Sequence, residues 1–429
     1  MPRVRMAAVR LVPAIVLAVS ALALAVDAAP GAGRAGADFR VNQSTSAGVE
    51  QSMPAVAWND TANQFLVVWE DGRAAGQSDI YGRLVSRSGI PVGADRLISG
   101  ASAVGPDRTP AVAWNAEENQ YLVVWADDRD ATTRGTDVYG RLVGASGAPL
   151  GGNFRISGPA ATGNETSPAV TWNGTRNEYL VVWADDREWA YHPGEIYGRR
   201  LAADGKRLGG EIQVTASAWD IAQEPAVAWN ASRNEYLVVW EDWRNIFDIY
   251  GRRLGAAGTP FGADIRISGT GAEAFSPALV WNADANQYVV VWEDARNEDA
   301  GRGVDIYGRR VGPRGGLLGA ERRFSGGGAV DDDVDPAVGY STTSNRYLVV
   351  WEDYRNFAQN ETEIYGRRMS SGGALAAGDF RISDSGATLD KEAPALAWND
   401  DADRYLVAWG DDRDFFTSFW DVYARLASG

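Results

Sequence analysis

Carboxylates are the only chemically versatile side chains that this sequence supplies in number. Its 429 residues hold 57 Asp and Glu, one histidine (His192) and no cysteine. Without cysteine there are no thiol nucleophiles, no thiolate metal sites and no disulfides. One histidine cannot build a histidine-rich metal centre. Acid chemistry remains, and a pair of carboxylates in different protonation states is what hydrolysis of a glycosidic bond requires. No Gly-x-Ser-x-Gly elbow, phosphate-binding loop or Asp-x-Asp-x-Asp-Gly calcium loop occurs. No catalytic residue, metal ligand or cofactor is therefore assigned.

The acids are not scattered. Seven times the chain repeats Pro-Ala-Val-x-Trp-Asn or a close variant, then Tyr-Leu-Val-Val-Trp-x-Asp-x-Arg, then Asp-Ile-Tyr-Gly-Arg. The first word begins at Pro54, Pro110, Pro168, Pro225, Pro277, Pro336 and Pro394. Each repeat keeps an Asp and an Arg after its second-strand Trp: Asp71/Arg73, Asp127/Arg129, Asp185/Arg187, Asp242/Arg244, Asp294/Arg296, Asp353/Arg355 and Asp411/Arg413. The guanidinium fork suits a carboxylate in two-point contact. An Arg beside a carboxylate lowers its pKa and spoils it as a general acid. The expected role of these pairs is to pin loops, not to bind ligand.

A site belongs where the repeats disagree. Of 17 tryptophans, seven close second strands and six close first strands, and these thirteen are expected in the core. Trp189, Trp219, Trp243 and Trp420 fall outside that pattern. Three lie in loops between second and third strands, and Trp219 lies in the connection from a fourth strand to the next first strand. Tyr191, Phe247, Tyr354, Phe357, Phe415, Phe416 and Phe419 share those loops, as does His192. In repeats one, two and five the same loops are polar. Grouped aromatics away from a core mark a contact surface and can stack on sugar faces. The expected ligand is a carbohydrate or a protein surface, bound through Trp189, Tyr191, Trp219, Trp243, Phe247, Tyr354, Phe357, Phe415, Phe416 and Trp420. The alternative is a carbohydrate-active hydrolase or lyase using carboxylates on the same face. Asp331, Asp332, Asp333 and Asp335 cluster there as a solvated acidic loop or a cation site.

Four short strands per repeat must position these groups. In the second repeat they are Pro110–Trp114, Tyr121–Trp125, Val138–Val143 and Phe154–Ser157, with a Gly-rich hairpin from Gly144 to Gly152. The second strand is continuously apolar, so it is buried on both faces. A sheet sandwiched between two like sheets provides that burial, and a fixed period of such units means a repeat architecture. The chain reads as all-β: a seven-bladed β-propeller of four-stranded antiparallel blades. The seventh repeat lacks its Phe-Arg-Ile-Ser strand, and a matching Phe39-Arg40-Val41-Asn42 stands near the N-terminus. N- and C-terminal strands are expected to share the last blade, which removes an open edge.

Pro110-Ala111-Val112-Ala113-Trp114, Leu122–Trp125, Asp127–Arg129 and Val138-Tyr139 resemble TolB-type (WD-like) propeller repeats over residues 38–427. That resemblance implies a secreted or periplasmic propeller of six or seven blades, binding proteins or sugars. A few members are lyases using a metal and several histidines, a site that one His cannot reproduce.

Residues 1–28 read as a signal peptide. Arg3, Arg5 and Arg10 precede an apolar run from Leu11 to Val26, with small residues at Ala28 and Ala29. Residues 29–37 are expected as a flexible linker and 38–429 as the propeller. The expected location is secreted or periplasmic, without membrane insertion after cleavage. A formal net charge of −16 argues against nucleic acid and anionic membranes as partners. A monomer is expected.

Overall fold

The computed structural model describes residues 34–43, 49–74, 77–100, 105–158, 163–187, 194–215, 221–244, 246–269, 271–298, 301, 303–326, 332–356, 361–384, 389–414 and 419–429. They form seven four-stranded antiparallel sheets, arranged as a β-propeller. Six blades are consecutive in sequence. Blade two is Asp107–Asn115, Gln120–Asp127, Asp137–Gly144 and Pro149–Arg155, paired in that order. Blade seven takes Lys391–Asn399, Arg404–Asp411 and Asp421–Ser428 from the C-terminus and Arg34–Arg40 as its outer strand. The shared blade closes the ring, and Asp38 fastens it by salt bridges to Arg413 and Arg425, both at 2.8 Å.

Burial follows the apolar words. Every residue from Tyr121 to Trp125 is fully inaccessible, because each sheet packs against the next. Between blades three and four, for instance, Leu180 and Val182 meet Tyr236, Val238 and Trp240. The Gly of each Tyr-Gly-Arg word lies where the sheets pack tightest. A Cβ on Gly308 would stand 2.8 Å from the Phe324 ring and 2.9 Å from the Val290 carbonyl oxygen.

Three expectations change. The outer strand of blade seven starts at Arg34, so residues 34–37 belong to a strand and not to a linker. Arg34 and Ala35 pair with Ala427 and Leu426, and the register shifts before Phe39. The fourth strand of blade two is Pro149–Arg155 and not Phe154–Ser157. Its turn is shorter than expected: Gly144 N–H donates to the Ala148 carbonyl at 2.9 Å, and Gly151 takes φ 64° inside the strand. The thirteen repeat tryptophans also divide. The seven on second strands are 0% exposed, whereas the six on first strands are half-buried. First strands line the inner edge of the ring, and the Trp before the buried last residue of six of them reaches the disc surface. Trp58 and Trp114 there donate Nε1–H to Asp400 and Asp60 on the preceding blades. Residues 1–33, which include the expected signal peptide, lie outside the described residues.

Candidate functional site

Each Asp after a second-strand Trp is spent on its own blade. In blade four Asp242 accepts from Trp240 Nε1 at 2.8 Å, from the Arg244 backbone N–H at 3.1 Å, and from Arg244 Nε and Nη2 at 2.8 and 2.6 Å. The Arg244 guanidinium lies 3.8 Å from the Tyr250 ring centre and also reaches Asp264 on the fourth strand. All seven blades repeat the Asp–Arg fork and the Arg–Tyr stack. Acid, indole, guanidinium and phenol ring form one closed unit in each blade.

The residue before that Asp behaves differently. It is Glu70, Ala126, Ala184, Glu241, Glu293, Glu352 and Gly410 in blades one to seven. Successive strand residues point to opposite faces, so these glutamates turn away from the Asp–Arg unit. They reach the next blade's first strand at the residue before its Pro. Glu70 accepts the Thr109 N–H at 2.6 Å, Glu241 that of Ser276 at 3.0 Å, and Glu293 that of Asp335 at 2.9 Å. Glu352 accepts that of Ala393. The bonds are possible because every pre-proline residue has a positive φ of 47° to 51°, at a bulge that aims its N–H outward from the ladder.

Met53, Thr109, Ser167, Glu224, Ser276, Asp335 and Ala393 then encircle the axis with their prolines, around an opening of about 300 Å³. Among the described residues no arginine acts on Glu293, Glu352 or Glu392 here. Burial raises Glu293 to about 7, with Asp335 and Glu241 adding repulsion. Burial likewise raises Glu352 to about 8, with Asp335 and Glu392 adding to it, and Glu392 to about 7 beside Glu50 and Asp335. These acids are held on the edge of protonation at neutral pH.

A larger polar cavity of about 460 Å³ opens beside the axis, between blades one and two. Glu50, Ser52, Glu70, Asp71, Gln77, Ser78 and Arg108 are among its walls. Burial raises the Glu70 pKa; the Thr109 N–H and Arg108 oppose this, and Glu50 adds to it. Glu50 itself is exposed. Two carboxylates in unlike environments therefore sense one another across one concave site.

Backbone bonds show that the two loop classes share this face. Gly72, Asp128, Asp186, Trp243, Ala295, Tyr354 and Asp412, each just past a second strand, donate N–H to Glu50, Pro106, Asn164, Ile221, Glu273, Asp332 and Asp390 on the incoming connections. Of the expected contact residues, Trp243 is 50% exposed and stacks on Phe247 at 6.0 Å and 20°. Phe247 in turn leans on Phe275. Tyr354 is half-buried and hydrogen-bonds Glu352. Trp420 is half-buried, with its ring over Gly410. Trp189, Tyr191, His192, Trp219, Phe357, Phe415 and Phe416 lie outside the described residues.

The expected acidic loop before blade six is not a cluster. Asp332 accepts the Val304 N–H at 2.8 Å, Asp333 is fully buried and Asp335 borders the axial opening; Asp331 lies outside the described residues. Sequence reasoning passed over Glu50, Glu70 and Arg108. The signal was present in the alternation of Glu, Ala and Gly beside an invariant Trp.

No family model matches the chain, and no curated protein sequence does. Solved structures share its fold. A protein of unknown function from Dyadobacter fermentans aligns over 93% of this chain and 99% of its own, at 10% identity and TM-score 0.55. The α-L-arabinofuranosidase Arb93A of Fusarium graminearum, in complex with an iminosugar inhibitor, aligns over 75% and 93%, at 12% identity and TM-score 0.53. A protein described as a TolB, from Agrobacterium tumefaciens, aligns over 69% and 92%, at 14% identity and TM-score 0.39.

Proposed function

We propose that this propeller is an exported carbohydrate-recognition module whose ligand sits on the face carrying the axial opening. The observation that carries the reading is the polar cavity between blades one and two. Its carboxylates, hydroxyls, amide and guanidinium supply both acceptors and donors, as a polyhydroxylated ligand requires. Exposed Trp243 and half-buried Tyr354 and Trp420 add aromatic platforms elsewhere on the same face. The aligned arabinofuranosidase acts on a sugar, which makes arabinose-containing oligosaccharides the first ligands to try. Export rests on the positive, apolar and small-residue segments of residues 1–28.

A second reading, hydrolysis of a glycosidic bond, is favoured by one feature of the cavity. Half-buried Glu70, with its raised pKa, is suited to donate a proton to a leaving oxygen. Exposed Glu50 would be the partner carboxylate. This is the division of roles that two carboxylates in unlike environments support.

Calorimetric titration of residues 34–429 with arabino-oligosaccharides, beside a glycan array, tests the first reading. Glu70→Gln and Arg108→Ala should weaken binding about tenfold or more, since each leaves a ligand hydroxyl unpartnered. No glycan bound even at about millimolar concentration would sink it. Release of reducing ends by the wild type, lost in both Glu70→Gln and Glu50→Gln, would establish the second.

A further inference from the structure

We propose that the first and second strands of blade two and of blade six are each held together by a proton shared within a buried carboxyl pair, Asp107 with Asp127 and Asp333 with Asp353.

The pairs arise from one variable position, three residues before each blade's Pro. Its occupants are Gln51, Asp107, Glu165, Ala222, Ala274, Asp333 and Lys391. Each is the direct cross-strand partner of the Asp in the Asp–Arg unit: Asp107 pairs with Asp127, and Asp333 with Asp353. Both first-strand acids are 0% exposed. In blade six one indole N–H bridges the two carboxylates: Trp351 Nε1 lies 3.0 Å from Asp333 Oδ1 and 3.2 Å from Asp353 Oδ2. Asp333 Oδ2 and both oxygens of Asp107 have no hydrogen-bond partner.

The surroundings supply little positive charge to spare. Asp107 faces Asp127 and, from blade one, Asp79 and Ser99. The nearby Arg129 is already forked onto Asp127. Asp333 faces Asp353, Ser325 and Arg355, but Arg355 is forked onto Asp353 and Ser325 donates to Asp305. Two like charges this close and this dry do not both ionise, and burial with that repulsion raises Asp107 and Asp333 to about 9. Blade seven shows the other solution: Lys391, also 0% exposed, places Nζ 3.7 Å from Glu363. Gln51, Ala222 and Ala274 show that the position accepts neutral side chains.

A proton bound by the folded ring and released on unfolding ties stability to pH. These acids are raised above their unfolded value, so their stabilisation is complete below the ordinary carboxylate range and is lost as pH rises toward about 9. The folding equilibrium constant should fall up to about tenfold per pH unit for each pair.

The test compares the wild type with Asp107→Asn, Asp333→Asn and the double variant in denaturant melts from about pH 6 to about pH 9. Asn keeps the shape of the protonated acid. The expected result is that each variant flattens the pH dependence by one proton and the double variant by two. Melting curves of wild type and variants that shift in parallel with pH would overturn the proposal. Should a variant fail to fold, infrared difference spectra of the wild type at about pH 8 decide instead. A carbonyl stretch of protonated carboxyl that persists when Glu165→Gln and Glu352→Gln are introduced and disappears on alkaline unfolding supports the pairs, and its absence refutes them. Sodium- or calcium-dependent melting at fixed pH, lost in the variants, would assign the sites to a cation and overturn the proton.

Discussion

Two populations of acid sit side by side on blades one, four, five and six, and they have opposite fates. Asp242 lies at a strand end beneath its own Arg244, against a Trp N–H, and is 1% exposed. Its neighbour Glu241 points the other way, toward the axis, and accepts the Ser276 N–H and the Gln223 amide. The first has its charge neutralised by a fork. The second is raised by burial, with no arginine to oppose it. Paired acids build a seven-fold scaffold, while acids such as Glu241, Glu293 and Glu352 gather without an arginine partner toward the centre of one face.

The largest effects should come from opening the paired unit. Trp240→Ala empties a fully buried site and should cost about 3–5 kcal/mol. Arg244→Ala strands the buried Asp242 and should cost a similar about 3–5 kcal/mol, its remaining exposure placing it at the lower end. Denaturant melts check both; a loss within about 0.5 kcal/mol, the range of ordinary surface changes, would mean that the unit is ornamental.

Next comes ring closure. Asp38→Ala removes the nearer carboxylate partner of Arg425, which is 3% exposed and keeps the Ile382 carbonyl at 2.7 Å and Asp384 at 3.5 Å. A loss of about 3 kcal/mol is expected. A melting temperature unchanged from wild type would argue against the shared blade as the clasp.

At the axis the effect should depend on pH. Glu352 is raised to about 8, so the folded state holds its proton where the unfolded chain has lost it. Its stabilisation is present at low pH and declines as pH rises through about 8. Glu352→Gln, which mimics the protonated acid, should therefore be more stable than wild type at about pH 9 by up to about 4–5 kcal/mol and within about 1 kcal/mol of it at about pH 5. A constant difference across that range would place Glu352 among the permanently charged acids.

The smallest change in stability belongs to the exposed rim. Trp243→Ala should alter unfolding by less than about 0.5 kcal/mol while weakening any ligand seated on that platform. If it destabilises as much as Trp240→Ala, the ring is core and the contact surface lies elsewhere.

How much of this was legible depended on what repetition reveals. Seven copies of an apolar strand needed burial on both faces, and only stacked blades supply it. The permuted Phe39–Asn42 word placed the closing strand, and the repeated Asp/Arg spacing placed the scaffold. The first-strand tryptophans were misread because their sequence context is as regular as that of the buried set. Their exposure follows from standing at the inner edge of the disc, which no local pattern encodes.

The candidate site was less legible for a related reason. Sequence alone determined the fold, the number of blades, the closure and the acids that pair. It also showed that residue 70 is Glu where residue 126 is Ala. Only the tertiary structure decided that Glu70 and Asp71 point to opposite sides. It brought Glu50, Glu70 and Arg108 around one cavity, and it set Asp107 against Asp127 without an arginine of its own. Repeats fix what each blade does for itself. Cavity shape comes from what neighbouring blades do to each other, and charge state from contacts both within a blade, as Asp107 with Asp127, and between blades, as Glu70 with Thr109.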